Sequence, residues 1–95
     1  MNKYKVIIID DEEPARKLIT NFLNENKEFE IIGECADGFS AVKQINDLLP
    51  DVVFLDIQMP KLTGMEVLEL IDKKPLVVFV TAYDEFAVKA FEMNA

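Results

Sequence analysis

Histidine and tryptophan are absent from the 95 residues, and cysteine occurs once, at Cys35. Without histidine, imidazole acid–base catalysis, a Ser-His-Asp triad and a mixed Cys/His zinc site are all excluded. A lone cysteine excludes an internal disulfide framework, and Cys35 reads as a small buried or half-buried filler. Glycine and proline are scarce, at three and four residues, while 51 % of the chain is hydrophobic. That balance argues against disorder and for one small packed domain. No apolar run approaches the roughly 18 residues of a membrane-spanning helix. Met1-Asn2-Lys3 leads directly into a strand-like run rather than a leader peptide, so a cytoplasmic location without membrane contact is expected. Basic residues are few, ten against eighteen acidic for a net charge of −8, which argues against nucleic-acid contact by this segment.

What is present is a regular alternation. Apolar runs occur at Val6-Ile7-Ile8-Ile9, Phe29-Glu30-Ile31-Ile32, Val52-Val53-Phe54-Leu55 and Leu76-Val77-Val78-Phe79-Val80. They begin roughly every 24 residues, a spacing that suits a strand, a helix and two short loops. The first, third and fourth are continuous rather than alternating, as in strands covered on both faces. The second is broken by Glu30 and followed by Glu34, which predicts a sheet edge. Between the runs, Ala15, Leu18, Ile19, Phe22 and Leu23 recur at helical spacing, and Ala41, Ile45, Leu48 and Leu49 do the same before Pro50. Met65, Leu68 and Ile71 mark a third helix, starting near Thr63-Gly64 and ending by Pro75. A fourth is predicted from about Asp84 onward, apolar on more than one side. The order βαβαβαβα predicts an α/β fold with a parallel sheet and right-handed crossovers.

Acidic residues gather where the first and third runs end: Asp10-Asp11-Glu12-Glu13 after the first, Asp56 after the third. In a doubly wound sheet of strand order 2-1-3-4 those two strands are neighbours at the topological switch point, whose crevice is the usual ligand site. Asp10, Asp11 and Asp56 are therefore expected to converge, with Arg16 and Lys61 the nearest cations. Carboxylates that close take up protons or hold a cation, and an oxygen-only donor set suits Mg²⁺. Helix capping by Asp11, with Glu12 and Glu13 favouring the helix dipole, is the competing reading of the first cluster. Thr81 falls at the same sheet edge and is placed to donate to an anion near Asp56, or to satisfy its own turn. The first loop lacks the glycine-rich turn of a dinucleotide site, so a Rossmann reading fails.

Three segments with these properties resemble the receiver domain of two-component response regulators. They are Val6-Ile7-Ile8-Ile9-Asp10-Asp11-Glu12, then Asp51-Val52-Val53-Phe54-Leu55-Asp56-Ile57-Gln58-Met59-Pro60 with Thr63-Gly64-Met65, and Val78-Phe79-Val80-Thr81-Ala82. Asp11-Glu12-Glu13-Pro14-Ala15-Arg16 and the run from Thr81 to Phe91 are similar to the LytR/AlgR type, whose members usually carry a C-terminal LytTR DNA-binding domain. The resemblance implies a flavodoxin-like fold and a phosphoacceptor at Asp56, a carboxylate nucleophile that receives a phosphoryl group from a sensor histidine kinase. It implies Mg²⁺ held by Asp11, Asp56 and the backbone carbonyl of Gln58, with Asp10 assisting through water. Thr81 would bond a phosphoryl oxygen, Tyr83 would report the switch or simply pack, and Pro60 and Gly64 would shape the adjoining loop. It further implies a protein that modifies itself, catalysing its own phosphorylation and dephosphorylation, rather than an enzyme acting on a separate substrate.

The family has five βα units and this sequence supplies four, so residues 1–95 are expected to form a receiver domain incomplete at its C-terminus. The lysine and aromatic residue of a fifth strand have no counterpart here, and Lys89 on the fourth predicted helix is no substitute. An exposed fourth-strand edge and an apolar last helix bearing Phe86, Val88, Phe91 and Met93 then predict self-association. Two other functions fit parts of the pattern. One is a non-switching receiver fragment that works as a protein-binding module. The other is a metal-dependent phosphohydrolase, disfavoured because its second aspartate would stand where Gln58 does.

Overall fold

The computed structural model describes residues 3–80; the predicted fourth helix, Thr81 and Tyr83 lie outside the described residues. Four strands and three helices alternate: β1 (Tyr4–Ile9), α1 (Glu13–Asn24), β2 (Phe29–Cys35), α2 (Gly38–Leu48), β3 (Val52–Asp56), α3 (Gly64–Leu70) and β4 (Leu76–Val80). All strand pairs are parallel, and the sheet order is β2-β1-β3-β4. The alternation and the parallel pairing are those expected from the run spacing, and the doubly wound, flavodoxin-like order with β2 at one edge is the one the receiver resemblance implies.

The continuous apolar runs are explained by two cores, one on each face of the sheet. Ile7, Ile9, Val53 and Leu55 point to one face, where they meet Ala41 and Ile45 of α2 and Val67 of α3. Val6, Ile8, Val52 and Phe54 point to the other and meet Ile19 and Leu23 of α1. Successive residues of a strand face opposite ways, so burial on both sides demands an apolar residue at every position. Cys35 closes β2 as a buried thiol inside the first of these cores, and burial pushes it up to about 11. An unionised thiol behaves as a small apolar filler.

Three helical expectations are corrected. On α1 the core-facing residues are Ile19 and Leu23, while Leu18 and Phe22 are 72 % and 61 % exposed. A helix laid on a sheet buries a narrow stripe, and here the half-buried positions beside that stripe are Ala15, Arg16 and Thr20. On α2, Leu48 and Leu49 are exposed because the helix is already ending. Leu49 takes a left-handed conformation (φ 50°), and its N–H donates to Ile45 O. On α3, Met65 is exposed and Val67 carries the burial, with Ile71 just past the helix.

Candidate phosphoacceptor and metal site

β1 and β3 pair directly, Ile9 opposite Leu55, so Asp10 and Asp56 leave the sheet side by side at its carboxyl edge. Strand order reverses here, since β2 lies beyond β1 and β4 beyond β3. Both carboxylates are buried, Asp10 at 6 % and Asp56 at 7 % exposure, whereas Asp11 is exposed. One oxygen from each of Asp10, Asp11 and Asp56 lies within 4.8 Å of the other two. The three residues singled out from the sequence are thus brought together.

Local contacts hold Asp10 and Asp56. The Asp10 N–H donates to Cys35 O at 3.0 Å, its Oδ1 accepts the Glu12 N–H at 2.9 Å, and its carbonyl accepts Arg16 Nη1 at 2.8 Å. Asp56 Oδ1 accepts the Gln58 N–H at 3.1 Å. The loop after Asp56 is pinned by Ile57 N–H to Val80 O at 3.3 Å and Gly64 N–H to Ile57 O at 3.1 Å. Only glycine fits at 64, because a Cβ there would stand 2.6 Å from Asp56 O. Lys61 turns this loop with φ 72°, and Leu62 packs against Gly38 so closely that a Cβ on Gly38 would meet Leu62 Cβ at 2.7 Å. Thr63 then starts α3 with a capping box, accepting the Glu66 N–H while Glu66 accepts the Thr63 N–H.

The electrostatics favour a cation. Asp56 is pushed up to about 6, first by burial and then by the charge of Asp10, with Asp11 adding to the rise and the Gln58 N–H opposing it. Asp10 is raised as well, again chiefly by burial, with the Glu12 N–H pulling it back. Two buried carboxylates that resist ionising are relieved by a proton or a metal ion. The donor set is all oxygen and carboxylate-rich, so the residues present fit Mg²⁺.

The link from Glu34 through Arg16 to the Asp10 carbonyl is not legible in the sequence. Arg16 stands out in the sequence as one of the two cations nearest the acidic residues and Glu34 as a mark of the sheet edge, but nothing in the sequence pairs them, and Arg16 Nε meets Glu34 Oε1 at 3.4 Å. The one available signal was an arginine one turn into a helix that follows an acidic strand end.

The sequence profile of the response regulator receiver domain matches residues 6–95. The chain belongs to that family. This receiver sequence is 52 % identical over 91 residues to an uncharacterized response regulatory protein of Vibrio vulnificus, covering 94 % of the chain and 38 % of that protein. It is 46 % identical over 93 residues to the transcriptional regulatory protein BtsR of Escherichia coli, covering 96 % of the chain and 39 % of BtsR. The chain thus spans about two fifths of the length of these curated relatives. Among solved structures, the response regulator domain of Thermotoga maritima CheB superposes with a TM-score of 0.79 at 29 % identity, over 99 % of this chain and 75 % of that one. A chain of the CheX-CheY-BeF3-Mg²⁺ complex from Borrelia burgdorferi gives 0.78 at 32 % identity, over 99 % and 74 %.

Proposed function

We propose that this receiver domain accepts a phosphoryl group on Asp56 from a sensor histidine kinase, in a Mg²⁺-dependent transfer. The observation that carries the reading is the convergence of Asp10, Asp11 and Asp56 at the switch point. The Borrelia complex, which contains Mg²⁺ and BeF3, lends it support. An Asp56 carboxylate oxygen attacks phosphorus, the phosphorus–nitrogen bond of the donor phosphohistidine breaks, and its electron pair leaves on the imidazole. With its pKa pushed up to about 6, Asp56 remains mostly ionised at neutral pH and keeps its nucleophilic lone pair. Asp11, Asp56 and the Gln58 carbonyl would hold Mg²⁺ directly and Asp10 through water, and the bound ion supplies the positive charge that makes an acidic cleft receptive to an anionic donor.

Thr81 and Tyr83 complete the reading as the residue that bonds the transferred phosphoryl oxygen and the residue that reports it. The protein modifies itself and is not an enzyme in the sense of turning over a separate substrate. Its setting is the cytoplasm; no helix of the described residues is long and apolar enough to cross a membrane. BtsR, named as a transcriptional regulatory protein, and the greater length of the curated relatives support a parent that is a DNA-binding regulator of the LytR/AlgR type. Self-association belongs to the same reading: among the described residues β4 pairs on one side only, and Leu76 at its start is 59 % exposed.

Acetyl phosphate with Mg²⁺ is expected to add one phosphoryl group by intact mass, and Asp56→Asn to abolish the gain. Labelling that persists in the variant overturns the assignment. Mg²⁺ binding without any durable phosphoryl adduct favours a non-switching, protein-binding module instead.

A further inference from the structure

We propose that Arg16 is a positioning residue for the metal-binding loop: its guanidinium, braced by Glu34, fixes the Asp10–Asp11 peptide and so aims the Asp11 carboxylate into the cleft. The proposal rests on the reading of that cleft as a Mg²⁺ site. β2 ends at Cys35, whose carbonyl takes the last N–H that β1 can offer it, that of Asp10. Beyond this point no backbone N–H of the described residues donates to the Asp10 carbonyl, and a carbonyl left loose there would let the next peptide plane rotate. Arg16 Nη1 fills the gap from the first turns of α1 at 2.8 Å.

Three contacts then converge on one residue, through the Asp10 N–H, its carbonyl and its Oδ1. The carbonyl carbon of Asp10 and the Cα of Asp11 share a planar peptide unit, so fixing the carbonyl fixes where the Asp11 Cα stands, and the Glu12 N–H held on Asp10 Oδ1 limits the rotation about it. Asp11 is exposed, and burial therefore does little to aim it.

The guanidinium is itself located. Its Nε faces Glu34 Oε1 at 3.4 Å on the edge strand, and the Arg16 side chain is only 16 % exposed. Two contacts in divergent directions use the planar fork of arginine, which a lysine ammonium on a flexible stem does not reproduce. Glu34 also matters for charge. An unpaired guanidinium beside the cleft would repel a divalent cation, whereas the paired group brings its hydrogen bonds with most of its field cancelled.

Orientation and charge predict opposite signs, which makes the proposal testable. In the intact protein, Mg²⁺ affinity is measured by calorimetry for the wild type, Arg16→Met and Arg16→Lys. Methionine keeps much of the apolar stem without donors, and lysine keeps the charge without the fork. Positioning predicts that both variants bind Mg²⁺ more weakly, by roughly tenfold, as for other groups that orient metal ligands. In the metal-free protein the Glu12 amide, bonded to Asp10 Oδ1, is expected to exchange with solvent faster in both variants. A purely electrostatic role predicts tighter binding in Arg16→Met and no change in Arg16→Lys. That pattern, or wild-type affinity in both variants, overturns the proposal. A wild type that takes up no Mg²⁺ overturns the cleft reading and this role with it. If Arg16→Met fails to fold, as judged by urea unfolding, the sign for Arg16→Lys decides.

Discussion

Asp56 gives up its proton less readily than an ordinary aspartate, because burial and the neighbouring Asp10 charge both penalise the carboxylate form. Between its ordinary value of 3.8 and the raised value of about 6, the native state retains a proton that the unfolded chain has released. The native state then binds more protons, so this contribution to stability is present at low pH and is lost as pH rises through that window. The raised Asp10 acts in the same direction. Asp56→Asn is therefore expected to stabilise the metal-free protein, by at most about 3 kcal/mol near neutral pH and progressively less toward pH 4. Thermal unfolding at several pH values checks this, and a gain that grows as pH falls contradicts it. Mg²⁺ should offset that gain by stabilising the wild type alone, by about 2.7 kcal/mol at one hundred times its Kd. At the other end of the loop, Gly64→Ala forces a Cβ against Asp56 O and is expected to cost about 1–3 kcal/mol. It should also slow phosphorylation by displacing Asp56, which urea unfolding and acetyl phosphate labelling measure separately.

At the scale of elements, β1 and β3 were legible because unbroken apolar runs admit few explanations, and the acidic residues that end them inherit a location from the strand order. The inward face of α1 was not. Leu18 and Ile19 both fit a helical apolar stripe, and periodicity alone gives no preference between Leu18/Phe22 and Ile19/Leu23. The choice is made by partners distant in sequence. Val6, Ile8 and Phe54 accept Ile19 and Leu23, and Glu34 draws Arg16 to the side that a hydropathy count would reserve for an apolar residue. The consequence is measurable. Ile19→Ala is expected to destabilise the protein by about 2–5 kcal/mol, whereas Leu18→Ala stays within about 0.5 kcal/mol. Denaturant midpoints compare the two, and equal losses would restore the broader stripe. Thr63→Ala removes the α3 cap and is expected to cost about 1 kcal/mol in the same assay.

For the whole molecule, the sheet has two edges of unlike character among the described residues. β2 carries Glu30 and Glu34, exposed charges that discourage pairing with another chain, while β4 is Leu76-Val77-Val78-Phe79-Val80 without a charge. Charged edges resist strand addition and apolar ones invite it. The 95-residue chain prepared by itself is expected to associate as its concentration rises, and Leu76→Lys to suppress that association by placing a charge at the exposed start of β4. Light scattering coupled to size exclusion tests both, and a monomer unchanged at high concentration in the parent chain contradicts the expectation.

The division of the strands between two cores has a bearing on insertions and deletions. In a strand with one wet face, a slip by one residue exposes the whole apolar set and is penalised at once. In β1 and β3, Val6 and Ile8 serve one core while Ile7 and Ile9 serve the other, and Val52 and Phe54 alternate with Val53 and Leu55 in the same way. A slip would exchange one apolar set for another of similar character and leave solvation nearly unchanged. Its cost would fall on shape matching and on the polar ends, since Asp10 or Asp56 would move by about 3.3 Å along the strand. Losing a single residue within Val52–Leu55 is thus an injury to the chemistry before it is an injury to the fold, and the carboxylates that make the site also keep the reading frame of the sheet.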